Sequence, residues 1–354
     1  MVSSEILRLR LHNQLLAGNN MKAPHEIVAY MGAMQAQTFD MARWAIGARL
    51  PGIVTDRRVI EAIDNAEIIR THILRPTWHF VAAEDVYWMA ELSRPRLRPV
   101  YASYARMMGV DDRIFETHWT FVERMLRDDN HLTRLELVAQ LNQEGKAVDD
   151  YAVKRILDFA ELEGLVCNGR VRGNKQTFCL LQERAAKTQV LSKEESLEKL
   201  ARKFFTSHAP ATLADFIWWS GLLASDAKKA LALIQDDFVT ETANGRTFYM
   251  KNDWVIPAAG ETSALLLPQF DEMVVSYKDR SEMIDEQHYG KVMTKNGLFS
   301  PTIMLDGEII GSWRKVMNKK KPEVELNFFE KTSKQKQNLY KKAQQNYLYY
   351  LTGQ

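Results

Sequence analysis

Residues 131–181, which give the clearest indication of the fold, read HLTRLELVAQLNQEGKAVDDYAVKRILDFAELEGLVCNGRVRGNKQTFCLL. Thr133 is of the residue type that caps helices, and the apolar residues after it recur at helical spacing. A second apolar-periodic stretch begins near Val153 and stops at Gly164. LVCNG and KQTFCLL then read as two strands around a basic turn. Helix, helix and two-stranded ribbon is the order of a winged helix.

The same order of elements recurs later in the chain. Residues 211–250 read ATLADFIWWSGLLASDAKKALALIQDDFVTETANGRTFYM. They predict a helix from about Thr212, a second helix from about Ser225 and two strands that meet at ANGR. The two copies also open alike, with TRLE in the first and TLAD in the second. The sequence therefore predicts a repeated winged-helix (helix-turn-helix) unit.

The N-terminal part of the chain fits this scheme more loosely. Helices are predicted near 4–17, 25–35, 40–48 and 56–65, followed by a strand-like stretch at 67–82, EIIRTHILRPTWHFVA. Strict alternation in this stretch predicts two opposite faces. One face carries Arg75, Thr77 and His79, and the other carries Leu74, Pro76, Trp78 and Phe80.

After about Ala258 the composition becomes β-rich, and a lysine-rich helix is predicted at 331–350. The fold class is therefore predicted as mainly α with β wings (α+β), with three tandem winged-helix units and a β-rich C-terminal part. The predicted segments are 1–110 with the glutamine pair and a hairpin, 111–190 and 191–258 as the second and third winged-helix units, and 259–354.

Composition indicates a globular protein. The 354 residues are 46% hydrophobic and 26% charged, which is enough for two or three packed domains. No apolar run reaches the ~18 residues that a membrane helix needs, and the amphipathic start has no signal-type apolar core. We therefore expect a cytoplasmic protein with no membrane partner.

The chain has two cysteines, Cys167 and Cys179, which are too few for a disulfide framework. Without a second cysteine pair or a close histidine they make no zinc site, and we expect them to be packed strand residues. His12, His25, His118 and His131 follow no ligand spacing. No metal and no cofactor are expected.

The net charge of +2 is nearly neutral, but the cations are concentrated in local runs. Leu92 to Val110 contains four arginines and no acid, and LVCNGRVRGNKQTF contains three cations and no acid. SWRKVMNKKK and KTSKQKQNLYKK hold five cations each. One such run is commonly a solvated face. Several runs on repeated hairpins would instead favour a nucleic-acid surface.

Residues 32–40, GAMQAQTFD, bring two glutamines one residue apart at the end of an apolar helical stretch. If the helix continued, Gln35 and Gln37 would lie about 200° apart around its axis and could not share a target. If the helix ends near Gln35 and the chain runs extended, both side chains point the same way. Asp40 then becomes the N-cap of the next helix. The residues alone leave open a paired amide clamp or an ordinary polar helix end.

Five motifs together resemble one family over nearly the whole chain. They are MQAQTFD, LRPTWHFVAAEDVYWM, HAPATLADFIWWSGL, LLPQFDEMVVSYKDR and DGEIIGSW. This ordered set is similar to the bacterial winged-helix DNA glycosylases of the azinomycin-resistance type. Gln37 departs from a sister branch that unhooks interstrand cross-links and has Gln-x-Asp. Pro76 is a second departure, since glycine is common there.

The resemblance implies that Gln35 and Gln37 are catalytic, in a glycosylase whose partner is double-stranded DNA containing alkylated purines. Alkylation at N7 or N3 makes the base cationic, so it leaves without a general acid. The remaining barrier is the oxocarbenium-like sugar and the placing of one water. A glutamine carbonyl can accept a hydrogen bond from that water and aim it at C1′. Because the segment has no lysine, we expect water and not an amine to attack the sugar.

The other candidate residues are assigned to DNA contact or to a channel. The hairpin is expected near the DNA through Arg75, Thr77 and His79, with Trp78 and Phe80 either wedged at the duplex or buried beneath it. The expected channel residues are Tyr277, Asp279 and Arg280, of which the last two are alternatively a local ion pair. Phosphate contacts are expected from Arg94, Arg96, Arg98, Arg170, Arg172, Lys175, Arg314 and Lys315.

Two other classes of function are compatible with the residues. A non-catalytic winged-helix DNA-binding protein or transcriptional regulator would prefer one sequence and leave the DNA intact. A protein-interaction scaffold would show little salt-dependent affinity for DNA. The full set of motifs favours the glycosylase, acting as a monomer in the cytoplasm in association with the nucleoid.

Overall fold

The computed structural model describes residues 1–109, 113–146, 148–173, 175–187, 191–258, 263–319 and 321–353. The chain forms two compact units. The first unit is built from Met1–Val59, Glu198–Trp219 and Leu223–Gln354, and the second from Ile60–Leu197 and Ser220–Leu222. The four segments predicted from the sequence divide the chain more finely and stay a prediction. Their boundaries at 110/111, 190/191 and 258/259 each touch residues outside the described ranges.

Helices occur along the whole chain. They are α1 (Ser3–Asn13), α2 (Pro24–Met31), α3 (Phe39–Gly47), α4 (Asp56–Asp64), α5 (Val86–Met107), α6 (Ile114–Leu126), α7 (Arg134–Gln143), α8 (Asp150–Leu162), α9 (Leu181–Arg184), α10 (Lys193–Ser207), α11 (Leu213–Ser220), α12 (Ala224–Leu233), α13 (Glu272–Val275), α14 (Tyr289–Val292) and α15 (Lys334–Thr352). Among the described residues, no helix combines the length and the apolar composition needed to cross a membrane.

The strands are short and pair antiparallel in small sheets. They are β1 (Ala33–Gln35), β2 (Ile68–His72), β3 (Trp78–Ala82), β4 (Leu132–Thr133), β5 (Val166–Asn168), β6 (Thr177–Leu180), β7 (Phe238–Ala243), β8 (Arg246–Lys251), β9 (Ala264–Leu267), β10 (Thr302–Leu305), β11 (Glu308–Asn318) and β12 (Lys321–Phe328). β2 pairs with β3, β6 with β4 and β5, and β7 with β8. The fold is mixed α+β, which confirms that part of the predicted class, while the three winged-helix units stay a prediction.

The second unit contains residues 131–181, on which the prediction of a winged helix rests. The predicted helices and ribbon are present as α7, α8, β5 and β6. Thr133 caps α7 as predicted, because its Oγ1 accepts a hydrogen bond from the Glu136 amide at 3.2 Å while Glu136 Oε2 accepts from the Thr133 amide at 2.7 Å. The core between α6, α7, α8 and β6 is closed by apolar side chains such as Leu137, Ile156 and Phe178.

Two predictions around the glutamines need correction. The helix predicted at 25–35 ends at Met31, because Gly32 takes φ 81° and ψ −63°, a conformation that cannot continue a helix. Asp40 is not an N-cap. α3 begins at Phe39, so its N-cap is Thr38, which is extended and donates its hydroxyl to Gln269 Oε1 at 2.8 Å instead of capping the helix. Asp40 lies in the first turn of α3, where a carboxylate favours the helix dipole.

The alternation predicted through residues 67–82 is wrong at its centre. β2 and β3 form a regular hairpin, but residues 73–77 between them form a turn. Leu74 has φ 60°, and the amide of Arg75 bonds to the Ile73 carbonyl at 2.6 Å. Pro76 has no amide proton for strand pairing, which favours a turn at this point. Arg75 and Thr77 therefore lie on a loop and not on one face of a strand.

The C-terminal part of the first unit is a four-stranded antiparallel sheet in the order β12-β11-β10-β9, covered by α15. Aromatic residues join the layers. Tyr340 of α15 donates its hydroxyl to the Met304 carbonyl at 3.2 Å, and Trp313 donates its indole to the Leu267 carbonyl at 2.8 Å. The ring of Tyr347 lies 4.7 Å from that of Trp313. These four strands and α15 lie within the segment 259–354 that the sequence predicts to be β-rich with a terminal helix.

A buried ion pair between Arg49 and Asp271 joins distant segments of the first unit. The guanidinium makes two parallel bonds of 2.8 Å to Asp271, one to the Ala45 carbonyl, and two to the backbone and side chain of Gln14. All five of its N–H groups therefore have acceptors. Burial lowers the pKa of Arg49, but the Asp271 carboxylate outweighs this, so the pKa is raised. Asp271 Oδ1 also accepts from the Met273 amide at 2.9 Å and caps α13.

Asp271→Ala leaves a buried guanidinium without its counter-ion and removes the cap of α13. We expect the free energy of unfolding to fall by about 3–5 kcal/mol. The matched control is Glu325→Ala, which removes a pair with Arg314 whose two side chains are 52% and 74% exposed, and which should cost about 1 kcal/mol or less. The measurement is urea unfolding of both variants. Equal losses in the two variants would refute a structural role for the buried pair.

Candidate functional site

The glutamine pair lies in the first unit, on the segment between α2 and α3. Gln35 is the last residue of β1 and is 7% exposed, whereas Gln37 is exposed in the bend before α3. The structure therefore excludes the continuous helix that would separate the two residues. It brings both side chains to one short non-helical stretch, with one amide in the protein interior and the other facing solvent.

Glu272, the first residue of α13, contacts this segment. Its Oε1 accepts a hydrogen bond from the backbone amide of Gln35 at 2.5 Å, and its Oε2 accepts from Trp219 Nε1 at 3.1 Å and from Ser276 Oγ at 2.5 Å. The residue is 1% exposed. Three donors that converge on a carboxylate favour its ionised form. The segment with two neutral amides is therefore backed by a buried negative charge.

His208 lies on the other side of the same carboxylate. Its Nε2 is 3.7 Å from Glu272 Oε2, and its Nδ1 is 2.8 Å from Ser207 Oγ. Burial lowers the pKa of His208, and Glu272 only partly opposes this. The imidazole is therefore neutral near pH 7. Sequence reasoning missed both groups, although Glu272 stands inside the quoted motif LLPQFDEMVVSYKDR and directly follows the capping Asp271.

The residues predicted for a channel occupy different environments. Tyr277 is fully buried, with Arg10 Cζ 3.7 Å above its ring and its hydroxyl bonded to the His208 carbonyl at 2.9 Å. Arg280 is also buried and donates to the Val274 carbonyl at 2.6 Å. Asp279 is 49% exposed and pairs with Arg246 at 2.8 Å. The structure thus gives Asp279 an ion pair with a residue other than the expected Arg280.

The predicted hairpin residues lie in the second unit. His79 is buried, and its Nδ1 donates to the Thr77 carbonyl at 2.9 Å, which leaves Nε2 as the acceptor facing an Arg75 nitrogen at 3.5 Å. Trp78 is half-buried, and Phe80 is fully buried. The histidine therefore ties the loop to the strand that follows it.

Trp78 packs on a polar cluster that was not predicted. Its indole donates to Glu161 Oε2 at 3.3 Å, and its ring lies 4.7 Å from that of His72 and 4.3 Å from Arg70 Cζ. His72 Nδ1 is 2.5 Å from the same carboxylate oxygen. These contacts fix the indole against β2 and α8.

One group in this cluster has the composition of a metal site. Ligand atoms of His72, Asp158 and Glu161 lie within 4.8 Å of one another, and all three residues are buried. Asp158 is already paired with Arg155 at 2.8 Å and Lys154 at 2.7 Å, and Glu161 with His72. Two cations already pair with Asp158. The three residues therefore fit an ion-pair cluster better than a metal centre.

The arginines of α5 dock on neighbouring parts of the second unit. Arg94 donates to the carbonyls of Leu162 and Glu163, and Arg96 to that of Gly221. Arg98 makes a bidentate pair with Glu163 at 2.7 and 2.8 Å and is 58% exposed. The positive charge of the run Leu92–Val110, which contains no acid, is therefore partly neutralised by Glu163 at the end of α8.

The wing residues are more exposed. Arg170 pairs with Asp129 at 2.7 Å and Arg172 with Glu136 at 2.8 Å, and each arginine side chain is 51% exposed. Lys175, on the opposite side of the same turn, is exposed.

In the first unit, Arg314 pairs with Glu325 at 2.6 Å and Lys315 with Asp40 at 3.1 Å. All these cations reach the surface, but each of the paired ones carries a local counter-ion. Contact with DNA by any of them stays a prediction.

Comparison with known proteins gives consistent results. A family model described as "DNA glycosylase AlkZ-like" matches residues 28–348. The chain is 24% identical over 324 residues to an interstrand DNA cross-link repair glycosylase of Streptomyces sahachiroi, over 87% of this chain and 86% of that protein. It also superposes on the solved structure of Streptomyces sahachiroi DNA glycosylase AlkZ with a TM-score of 0.81 at 20% identity, covering 100% of this chain and 97% of that one. This structural likeness shows a shared fold.

Gly32 allows the chain to leave α2 and reach the glutamines. At φ 81° and ψ −63° a side chain is strained, and an added Cβ would lie 3.2 Å from Lys203 Cβ. We expect Gly32→Ala to lower the free energy of unfolding by at least about 2 kcal/mol. Gly52→Ala is the control, since Gly52 also has positive φ (78°) but open space around it, and it should cost about 1 kcal/mol. Chemical denaturation measures both, and an equal loss would contradict the tight contact at Gly32.

Proposed function

Because the chain belongs to the AlkZ-like DNA glycosylase family, we propose that it is a monofunctional DNA glycosylase. In this proposal it hydrolyses the N-glycosidic bond of purines that carry a positive charge from alkylation at N7 or N3. Its substrate is double-stranded DNA, and it acts as a monomer in the cytoplasm, in association with the nucleoid. The observation that carries the proposal is the pair of amides, Gln35 and Gln37, on a short non-helical segment backed by a buried carboxylate.

The chemistry suits neutral side chains. A cationic purine leaves as a neutral base, so the departing group needs no proton from the enzyme. The enzyme has to hold one water in line with C1′ and to favour positive charge on the sugar ring in the transition state. Amide oxygens can do both, since each accepts a hydrogen bond and carries a partial negative charge. Gln37 is exposed and Gln35 is anchored, so we assign Gln37 to direct contact with water or sugar and Gln35 to orientation of the same water.

Because amides activate the attacking water only weakly, they also make the enzyme selective for alkylated purines over unmodified ones. Without a general acid, unmodified purines would have to leave as anions, at a much higher barrier. The enzyme is therefore expected to ignore normal bases and to excise those that are already labile. The relative from Streptomyces sahachiroi is named as an interstrand cross-link repair glycosylase. Cross-linked purines are therefore included with simple methyl adducts in the proposed substrate class.

DNA binding is assigned to the repeated helical units. Helix, strand, helix, helix and two strands follow one another from α6 to β6, which is the order of a winged helix. A similar order, without the first strand, runs from α10 to β8. We propose that these are winged-helix units and that the wing arginines Arg170 and Arg172 contact phosphates. The near-neutral net charge is compatible with this role, because clustered cations attract a polyanion locally.

The protein is expected to release free N7-methylguanine or N3-methyladenine from methylated DNA and to leave abasic sites in every sequence context. Since water is the proposed nucleophile, borohydride should trap no covalent protein–DNA adduct. The assay is chromatography of released bases, with a bulky N7 adduct and a defined interstrand cross-link tested in parallel. Binding to one preferred sequence, with no base released from any of these substrates, would identify a regulator and remove the proposal.

The glutamines and the wing arginines are expected to have separable roles. Gln35→Ala or Gln37→Ala should lower single-turnover excision by ~100-fold or more, because each removes a positioning or electrostatic group. DNA affinity should stay within about threefold, since these groups act mainly in the transition state. Unfolding midpoints are measured as well, because a substitution here can cost about 1 kcal/mol of stability. Wild-type rates in both variants would make the pair a polar turn and nothing more.

The double variant Arg170→Ala/Arg172→Ala should show the opposite behaviour. Binding should weaken equally for all sequences, and the slope of log K against log salt should fall by about one for each phosphate that the variant no longer binds. Excision by saturating protein should remain near the wild-type rate. Arg202→Ala is the matched control, because Arg202 is also exposed and ion-paired but is not among the cations assigned to phosphate contact. An unchanged salt slope in the double variant would exclude the wing as a phosphate-binding element.

A further inference from the structure

Glu272 is a buried acid in direct contact with the glutamine segment. It is only 1% exposed, and its carboxylate accepts three hydrogen bonds. The donors are the Gln35 amide of β1, the Trp219 indole of α11 and the Ser276 hydroxyl directly after α13. The three donors favour the ionised form of this carboxylate because they replace part of its lost hydration. The geometry therefore puts a buried, hydrogen-bonded carboxylate behind the glutamine segment.

Stability alone gives little reason for this arrangement. Burying an ion costs several kcal/mol, and replacement of buried ionic groups by well-packed apolar ones is often neutral or stabilising. The Gln35 amide needs one acceptor, which a neutral carbonyl could supply. A charge-assisted bond is shorter and roughly twice as strong as a neutral one. The 2.5 Å contact between Gln35 N and Glu272 Oε1 thus restrains the backbone more tightly than pairing alone requires.

The residue before Glu272 is itself restrained by buried contacts. Glu272 directly follows Asp271, which caps α13 and forms the bidentate pair with the fully buried Arg49. The ion pair with Arg49 therefore restrains Asp271 and the adjacent Glu272, and Glu272 in turn restrains the backbone amide of Gln35. Catalytic side chains have to be held within about 0.5 Å of their productive geometry by supporting groups of this kind.

We propose that Glu272 is a positioning residue for base excision, acting through the backbone of Gln35 so that the Gln35 side chain presents its oxygen to the attacking water. This inference rests on the proposed glycosylase function and adds the residue that orients its catalytic segment. Glu272 is not in contact with DNA in this scheme. Its removal therefore affects the excision rate and leaves DNA affinity unchanged.

The experiment compares single-turnover excision and DNA affinity in three variants of the full chain. Glu272→Ala removes the acceptor. Glu272→Gln keeps the shape but offers one oxygen where the carboxylate offers two, so it should recover part of the rate and keeps the test open if the alanine variant does not fold. Ser276→Ala removes a donor from Oε2 alone and leaves the Gln35 contact. We expect rate losses of ~100-fold for alanine, ~10-fold for glutamine and less than about threefold for Ser276→Ala, all with unchanged DNA affinity.

Coupling to Gln35 gives the deciding readout. In a Gln35→Ala background, Glu272→Gln should cause almost no further loss of rate, because residues that act through one another are not additive. An undiminished further loss would show that Glu272 acts elsewhere and would overturn the inference. A fall in stability with an unchanged rate in the Glu272 variants would also overturn it.

A second measurement is independent of activity. In protein labelled with 15N-glutamine, the amide proton of Gln35 should resonate far downfield, move upfield in Glu272→Ala and stay in place in Ser276→Ala. If wild-type protein excises no base, the proposed function fails irrespective of this spectrum. If wild-type protein is active but Glu272→Ala changes neither the Gln35 resonance nor the excision rate, only the positioning role fails.

Discussion

A guanidinium that is cut off from water is tolerated only when every N–H group finds an acceptor, and Arg49 meets this demand by drawing three segments together. Its partners are the end of α1 at Gln14, the carbonyl of Ala45 in α3 and the carboxylate of Asp271 before α13. Because an unpaired charge at this point would cost several kcal/mol, the three segments cannot move independently. The first unit is organised around this one ion pair.

The order imposed by Arg49 reaches the glutamines through two consecutive residues. Asp271 accepts the guanidinium, and Glu272 accepts the backbone of Gln35. Gln35 also follows Gly32, whose positive φ ends α2 in time for the chain to become extended. A neutral amide contributes little charge of its own, so its usefulness to a reaction depends on where it is held. For the proposed reaction, the supporting contacts therefore matter more than they would for a strongly basic catalytic group.

The second unit treats its charges differently. Arg98 is neutralised by Glu163, and the wing arginines Arg170 and Arg172 are paired with Asp129 and Glu136 at the surface. Exposed pairs of this kind contribute little stability. Trp78, by contrast, is fixed by Glu161 and His72. The unit thus combines exposed, weakly paired arginines at the wing with a tryptophan, Trp78, whose ring is fixed by buried neighbours.

Features that depend on residues close together in the chain could be predicted from the amino-acid sequence. The cap at Thr133 and the start of α2 at Pro24 follow from groups three or four residues apart, and the helix and strand order follows from apolar periodicity. The ordered motifs also identified the family and drew attention to Gln35 and Gln37. Where the expectation failed, at Asp40 and across residues 74–77, one long-range bond or one backbone turn decided the outcome.

Which charged residues meet depends on how the helices and strands pack. Arg49 and Asp271 are 222 positions apart, and Gln35 and Glu272 are 237 apart. No periodicity connects residues at such distances, because their contact depends on how whole elements pack. The same holds for Arg98, which lies in an acid-free run of sequence but finds Glu163 at the end of another helix. Residue types and their spacing indicated the chemistry, and packing supplied the support that holds it, because burial makes each buried charge depend on a partner from elsewhere in the chain.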